Sequence, residues 1–345
     1  MARRKLYKVG ILGATGAVGR QMMTCLEERN FPVKELRLFG SERSAGKTLP
    51  FKGKDVEVQV PSQEAFKGLD ILFGAADNDV AKQYLPDAAR QGILVVDNSS
   101  AFRLDDDVPL VIPEINPEDA FTGYGLIANP NCATIIGLVA IAKLNEKAKV
   151  RRLIASTYQA VSGAGLGGIA ELEEQVKAED ATACERSVFP YPIAYNLIPQ
   201  IGGFNDVGYT SEEMKMQNEG RKILHNPKLR VACTCVRVPI IRSHSEALTV
   251  EFEEEISPEE ARELLKDAPG VKLCDDPAAQ QYPMPLLTSD QDLVYVGRIR
   301  RDLSAPAKKM NRSLTLFCCA DQIRKGAATN AIQIAELVIA KKAAA

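Results

Sequence analysis

The sequence predicts an α/β protein in two parts: a parallel sheet flanked by helices, then an α+β part on a mixed sheet. Three observations predict it. Short, β-rich apolar runs alternate with amphipathic stretches over the first third of the chain. A glycine-rich turn follows the first of those runs. From about Arg151 the apolar runs lengthen and several alternate in and out, the pattern of a sheet with one covered face. At 345 residues the chain is longer than one ordinary domain and shorter than three.

Taken in order, Lys8–Leu12, Leu36–Phe39, Asp70–Phe73, Ile93–Val96 and Leu126–Ala128 read as strands buried on both faces. The amphipathic stretches Val18–Glu28 and Val80–Arg90 lie between them, and such alternation implies parallel strands with right-handed crossovers. In the second part Leu153–Ala160, Val231–Ile240, Ala247–Glu254, Leu293–Arg298 and Leu314–Cys319 read as strands. Ser257-Pro258-Glu259-Glu260 opens a helix, with a capping hydroxyl, a first-turn proline and two acids that suit the dipole. The tail Arg324–Ala343 is alanine-rich and helical, and able to fold back onto the first part. The expected division is 1–130, joined by a C-terminal helix over 321–345, and 131–320.

Composition narrows the function. Hydrophobic residues make up 46% and charged residues 26%, an ordinary globular balance. The net charge of −2, from 43 basic and 45 acidic side chains, favours neither nucleic acid nor an anionic membrane. No apolar run approaches the roughly 18–20 residues that span a bilayer. The start, MARRKLYKVGILG, runs directly into a strand pattern without the apolar core of a signal peptide. A soluble cytoplasmic protein is expected. Eight scattered cysteines agree, since none forms a C-x-x-C knuckle, and no metal site is expected. Cys233 and Cys235 lie in an apolar strand pattern and read as buried thiols. There are only two histidines, His225 and His244. That leaves few candidates for an imidazole base.

The sharpest local signal is Gly13-Ala14-Thr15-Gly16-Ala17-Val18-Gly19, between a strand and a helix. Glycines there let the backbone approach a pyrophosphate, and the helix N-terminus offers N–H groups and a positive dipole. This marks a Rossmann-type parallel-sheet domain, although the spacing is G-x-x-G-x-x-G rather than G-x-G-x-x-G. The end of the second strand should meet the adenosine ribose. Ser41, Arg43, Ser44 and Lys47 offer hydroxyls and positive charge there, which suits a 2′-phosphate and hence NADP, with Glu42 the contrary residue.

In Asn129-Pro130-Asn131-Cys132-Ala133-Thr134 a thiol stands after a proline turn and before the helix-like Ile135–Leu144. The helix dipole and open N–H groups stabilise thiolate at such a place, while a buried inert cysteine is the bland alternative. His244, in Arg237-Val238-Pro239-Ile240-Ile241-Arg242-Ser243-His244, is the candidate base. His225 reads as a helix end before a turn.

Seven motifs in order carry a resemblance that covers essentially the whole chain. They are GATGAVG, NSSAFR (Asn98–Arg103), NPNCATI (Asn129–Ile135), STYQAVSGAG (Ser156–Gly165), SEEMK (Ser211–Lys215), RVPIIRSHSEA (Arg237–Ala247) and DQIRKGAA (Asp321–Ala328). The chain resembles the bacterial aspartate-semialdehyde dehydrogenase family. The resemblance implies an NADP-binding domain plus a catalytic and dimerisation domain, and a homodimer. It implies Cys132 as the nucleophile that forms an acyl-thioester, His244 as its acid/base partner and Gln159 as the group that orients the reacting centre. Arg237 would grip the substrate carboxylate and Glu212 the amino end. Arg103, Lys215 and Asn98 would bind phosphate. Gly13, Ala14, Thr15, Gly16, Ala17, Val18, Gly19, Ser41, Arg43, Ser44, Ser162, Gly163 and Gln322 would line the NADP site. The small molecules implied are aspartate semialdehyde, phosphate and aspartyl phosphate.

The residue types suit that chemistry. An aldehyde gives up hydride only after a nucleophile has made it a tetrahedral adduct, and thiolate does this well. The thioester left behind is reactive enough for phosphate to attack. Arginine's planar fork can hold both oxygens of a carboxylate. Two other readings stay open: N-acetyl-gamma-glutamyl-phosphate reductase, with related chemistry, and a non-catalytic NADP-binding regulator. SEEMK and RVPIIRSH fit the aspartate branch better than the first. Intact Cys132, Gln159, Arg237 and His244 speak against the second. Glyceraldehyde-3-phosphate dehydrogenase shares the Cys/His logic, but its loop and cysteine context differ.

Overall fold

A computed structural model describes residues 5–344; the first four residues of the basic start, and residue 345, lie outside the described residues. The chain divides into two compact units, Met1–Pro130 with Ala327–Ala345, and Asn131–Gly326.

The first unit runs β1 (Tyr7–Leu12), α1 (Ala17–Glu28), β2 (Val33–Phe39), β3 (Thr48–Phe51), β4 (Lys54–Gln59), α2 (Gln63–Phe66), β5 (Ile71–Gly74), α3 (Asn78–Arg90), β6 (Leu94–Asp97) and β7 (Leu126–Ala128). Its sheet has the order β3-β4-β2-β1-β5-β6-β7. Strands β5, β6 and β7 are buried throughout, as parallel strands covered on both faces must be. The strand order reverses about β1, which puts the glycine turn at the carboxyl edge where doubly wound sheets bind ligands.

One expectation is corrected here. The sheet is not wholly parallel, because β3 pairs antiparallel to β4. The turn between them is Lys52-Gly53, with φ of 48° and 73°. Two positive φ values in a two-residue loop make the tight hairpin that matches strand twist, and glycine supplies one of them freely.

The second unit continues with α4 (Cys132–Ala148), β8 (Val150–Gln159), α5 (Gly165–Lys177), α6 (Ser211–Ile223), β9 (Arg230–Arg237), β10 (His244–Phe252), α7 (Pro258–Lys266), β11 (Val271–Leu273), α8 (Pro285–Thr288), β12 (Val294–Arg301) and β13 (Ser313–Ala320). Its mixed sheet has the order β11-β12-β13-β10-β8-β9. Helix α4 is buried from Ala133 to Ala142 on every side, which explains its weak amphipathicity in sequence. It packs on the inner face of β8, β10, β12 and β13. Strand β9 stops at Arg237, three residues short of the sequence expectation, because Pro239 has no N–H for a ladder and the chain turns there.

Helix α9 (Thr329–Ala344) returns to the first unit. Ala331, Ile332, Ile334, Ala335 and Val338 join Val9, Ile11, Met22, Leu26 and Phe73 in one core. The helix starts later than residue 321. The Asp321 carboxylate accepts the N–H groups of Ile323 and Arg324 at 2.9 and 3.1 Å, and a wide turn over Arg324–Ala328 precedes α9.

Candidate active site

Cys132 is the first residue of α4 and is half-buried. Asn131 caps that helix: its Oδ1 accepts from the N–H groups of Ala133 and Thr134 at 3.1 and 3.3 Å. The same side chain donates through Nδ2 to Oε1 of Glu212 at 2.9 Å, and its backbone N–H donates to Oε2 of Glu219 at 2.7 Å. Two carboxylates of α6 thus fix the turn that presents the thiol. Gly326 lies against it, since a Cβ there would come within 2.9 Å of the Cβ of Cys132.

Around this turn stand His244, Gln159, Arg237 and Glu212, all buried. Gln159 ends β8 and pairs with Arg237, the last residue of β9. His244 opens β10. The Gln159 Nε2 donates to Oε1 of Glu212 at 3.2 Å and lies 3.4 Å from Nε2 of His244. The Ala160 N–H donates to Nδ1 of His244 at 3.1 Å, and Arg237 Nη1 donates to the Ala160 carbonyl at 2.7 Å. Lys215 reaches Oε2 of Glu212 at 2.8 Å. Burial alone would raise the Glu212 carboxyl. The Lys215 charge and the bonds from Lys215, Asn131 and Gln159 outweigh it and hold the group down to about 2. Burial, reinforced by Arg237, lowers His244 to about 3, so the ring is neutral. Burial also lowers Arg237, against the opposing pull of Glu212 and Cys132.

Ser162, Gly163 and Gln322 flank this group. Gln322 donates through Nε2 to Oγ of Ser162 and accepts the Ser243 N–H at 2.8 Å through Oε1. A Cβ at Gly163 would come within 2.8 Å of Arg237 Nη1 and 3.2 Å of the His244 ring, so only glycine fits.

The remaining predicted residues belong to the first unit. Gly13 has φ of +84°, and a Cβ there would meet the Ala75 carbonyl at 2.3 Å. A Cβ at Gly19 would meet the Gly13 carbonyl, also at 2.3 Å. Gly16 begins α1 without a side-chain cap, and Ala17, Val18 and Gly19 form its first turn. The N–H groups of Gly13 and Ala14 bond the Phe39 carbonyl and that of Gly16 the Gly13 carbonyl, which fixes the turn, so the N–H groups left to face an anion are those of the first turn of α1, which fits a dinucleotide pyrophosphate. Thr15 Oγ1 lies 3.4 Å from Oγ of Ser44, and Ser41 and Arg43 are exposed. Arg103 donates to the carbonyls of Asn129 and Asn98 at 3.0 and 2.8 Å, and Asn129 Nδ2 donates to Oδ1 of Asn98 at 3.0 Å.

The structure therefore gathers Cys132, Gln159, Glu212, Lys215, Arg237 and His244 in the second unit, with Ser162, Gly163 and Gln322 beside them. The glycine loop, Ser41, Arg43, Ser44, Asn98 and Arg103 lie in the first. Sequence reading missed Asn131, Glu219, the Ala160 amide and Thr157, whose hydroxyl donates to Oε1 of Gln159 at 3.0 Å. Asn131 carried a signal, as a capping residue type ahead of an apolar run. A backbone N–H carries none. Cys233 and Cys235 are buried on one side of β9, Sγ to Sγ 3.6 Å. Among the described residues no group of three or more His, Cys, Asp or Glu could hold a metal ion.

Comparison with known proteins fixes the class first. The family model described as semialdehyde dehydrogenase, NAD binding domain, matches residues 8–122, and semialdehyde dehydrogenase, dimerisation domain, matches residues 141–325. An aspartate-semialdehyde dehydrogenase of Aquifex aeolicus is 51% identical over 338 residues, covering 96% of this chain and 98% of that protein. One from Campylobacter jejuni is 48% identical, covering 96% and 97%. Among solved structures, aspartate semialdehyde dehydrogenase II of Vibrio cholerae complexed with ASA superposes with a TM-score of 0.91 at 42% identity, covering 97% of this chain and 99% of that one. The Candida albicans enzyme with NADP gives 0.77 at 26%, covering 98% and 99%. The chain belongs to the aspartate-semialdehyde dehydrogenase family, oxidoreductases that act on an aldehyde group.

Proposed function

We propose that this chain is a cytoplasmic, homodimeric, NADP-dependent enzyme that interconverts L-4-aspartyl phosphate and L-aspartate 4-semialdehyde through a thioester on Cys132. The observation that carries the reading is Cys132 at the first position of α4, its turn clamped by Asn131 and Glu212, in one unit with Arg237 and His244. The helix dipole favours thiolate there. Arg237 receives the substrate carboxylate and Glu212 the ammonium, both charges that match. Gln159 and His244 meet the reacting oxygen. Lys215 of the second unit, and Arg103 and Asn98 of the first, are each assigned to phosphate. In the first unit the glycine loop, Ser41, Arg43 and Ser44 are assigned to NADP, and in the second Ser162, Gly163 and Gln322 carry the same assignment. When bound, the dinucleotide supplies the hydride that reduces the thioester carbon.

A second copy of the chain is supported by the description of the dimerisation domain and by the open face of the second sheet, where Ile154 and Tyr158 are exposed. No helix among the described residues is long and apolar enough to cross a membrane.

The test is a steady-state assay with L-aspartate 4-semialdehyde and with N-acetylglutamate 5-semialdehyde, each with NAD and NADP. Phosphate-dependent NADPH formation from the first substrate is expected. Turnover confined to the second substrate, or none with either, rejects the reading.

A further inference from the structure

The chain between α5 and α6 is pinned to α5 at two places. Oε2 of Glu171 accepts the N–H groups of Ser187 and Val188 at 3.0 and 2.8 Å. One turn on, Oε1 of Gln175 accepts those of Ile193 and Ala194 at 2.7 and 3.0 Å. Gln175 Nε2 donates to Oε1 of Glu171 at 3.2 Å, which joins the two clamps. Both side chains are buried, and bonds to an ionised carboxylate are of the stronger kind.

Phe189 stands between the clamps, in a small core with Val161, Leu172, Ile193, Ala194 and Ile198. The start of α5 is bare where this segment lies. A Cβ at Gly167 would meet Val188 Cγ2 at 3.1 Å, and one at Gly168 would meet Cζ of Phe189 at 3.1 Å. Glycine is a poor helix former, and the close approach of the segment accounts for two of them in one turn.

The Phe189 ring also meets Arg237, whose guanidinium carbon stands over it, 5.8 Å from the centroid. The same arginine donates from Nη1 to the Ala160 carbonyl at 2.7 Å. Its backbone pairs with that of Ile198, N–H to carbonyl in both directions, at 2.9 and 3.0 Å. One clamped stretch of chain thus holds both the backbone and the side chain of Arg237.

We propose that Phe189 is a positioning residue for substrate: its ring holds the Arg237 guanidinium ready for the carboxylate, and Glu171 and Gln175 fix the ring through the chain. This rests on the carboxylate role given to Arg237 above. An aromatic face attracts a cation, leaves its charge in place and leaves the edges of the guanidinium to other partners. A carboxylate in its stead would compete with the substrate for the same fork. A guanidinium ordered in advance also binds at less cost than one that must be immobilised on binding.

Steady-state kinetics test this, with phosphate as the internal reference. Phe189→Leu fills much of the space without an aromatic face. It should raise KM for L-aspartate 4-semialdehyde about three- to tenfold, the usual cost of ordering one long side chain, and KM for phosphate by less than about twofold. Phenylalanine fluorinated at both meta positions, placed at 189, keeps the shape and weakens the negative face. It should raise the semialdehyde KM about twofold with Tm unchanged, a response that a merely space-filling ring would not give. Glu171→Ala frees the chain at Ser187 and Val188 and should reproduce the Phe189→Leu pattern. Leu172→Ala opens the same small core but keeps the ring, and should lower Tm with both KM values unmoved.

A Phe189→Leu that lowers Tm without a selective rise in the semialdehyde KM overturns the proposal. So does a fluorinated ring equal to wild type, a Glu171→Ala with wild-type KM, or a Leu172→Ala that raises this KM as far as Phe189→Leu. Failure of the carboxylate reading is distinct: Arg237→Lys would then leave the semialdehyde KM unmoved. An impaired Arg237→Lys beside an unaffected Phe189→Leu sinks the role of Phe189 alone.

Discussion

Cys132 sits where a helix favours thiolate and where Asn131 and Glu212 hold the backbone still. Cys132→Ser should keep cofactor binding and lose nearly all turnover, because a hydroxyl is scarcely ionised near neutral pH. Equilibrium NADPH binding beside initial rates checks this, and near-normal rates would end the thioester mechanism. Alkylation should reach Cys132 before Cys233 or Cys235, both buried. Arg237 and Lys215 are assigned different ligands, so their variants should separate. Arg237→Lys keeps charge and loses the fork, and should raise KM for the semialdehyde far more than for phosphate. Lys215→Ala should do the reverse. A lost charge-assisted bond of about 1.5–3 kcal/mol is roughly ten- to hundredfold in affinity, enough to resolve the two patterns. Loss of Tm in both without selective change in KM would mean that these side chains serve structure. Arg43→Ala should weaken NADP and spare NAD; equal losses would remove the case for a 2′-phosphate contact.

The glycine turn and helix α1 make a prediction of their own. Gly19→Ala puts a methyl 2.3 Å from the Gly13 carbonyl, so loop and helix must part. Dinucleotide affinity should fall at least tenfold, with a loss of Tm, by titration and thermal melt; unchanged binding would show that the loop does not hold the pyrophosphate. Much of this region was legible. Buried parallel strands announce themselves as apolar runs, and the turn follows from glycine spacing. The β3–β4 hairpin was also written in the sequence, as Lys52-Gly53 between two short alternating segments, but four residues such as Thr48–Phe51 give too little periodicity to stand out. Helix α6 carried a capping box from Thr210 to Glu213, whereas the glycines at the start of α5 disguise a helix. What could not be read is long-range and backbone-made. Asn131 meets Glu219 across 88 residues, and the Ala160 amide that orients His244 is an amide any residue but proline would provide.

Three buried groups should give stability opposing slopes with pH. His244, lowered to about 3 from the ordinary 6.5, favours the folded chain above pH 6.5 and loses that contribution as pH falls toward 3. Glu212, held at about 2, adds to the loss below 4.5. Glu246 does the reverse. Its carboxyl is fully buried, lacks a hydrogen-bond partner among the described residues and is pushed well above 4.5 by burial, so its contribution is present below that pH and lost as pH rises. Glu246→Gln should therefore raise Tm more at pH 8 than at pH 5 relative to wild type. Equal changes at both would show that Glu246 is ionised in the folded chain.

Helix α9 has a consequence for how the protein is born. It follows the entire second unit in sequence, yet Ile332, Ile334 and Val338 complete the core that begins with Val9 and Ile11. A nascent chain cannot offer those side chains until the whole second unit has been made. The N-terminal sheet must therefore wait on the ribosome with part of its apolar surface uncovered, while the second unit, whose residues are contiguous, can fold first. The usual vectorial order is inverted: the dinucleotide-binding unit, first to be synthesised, is the last to be finished, and in the interval it is the natural client for a chaperone.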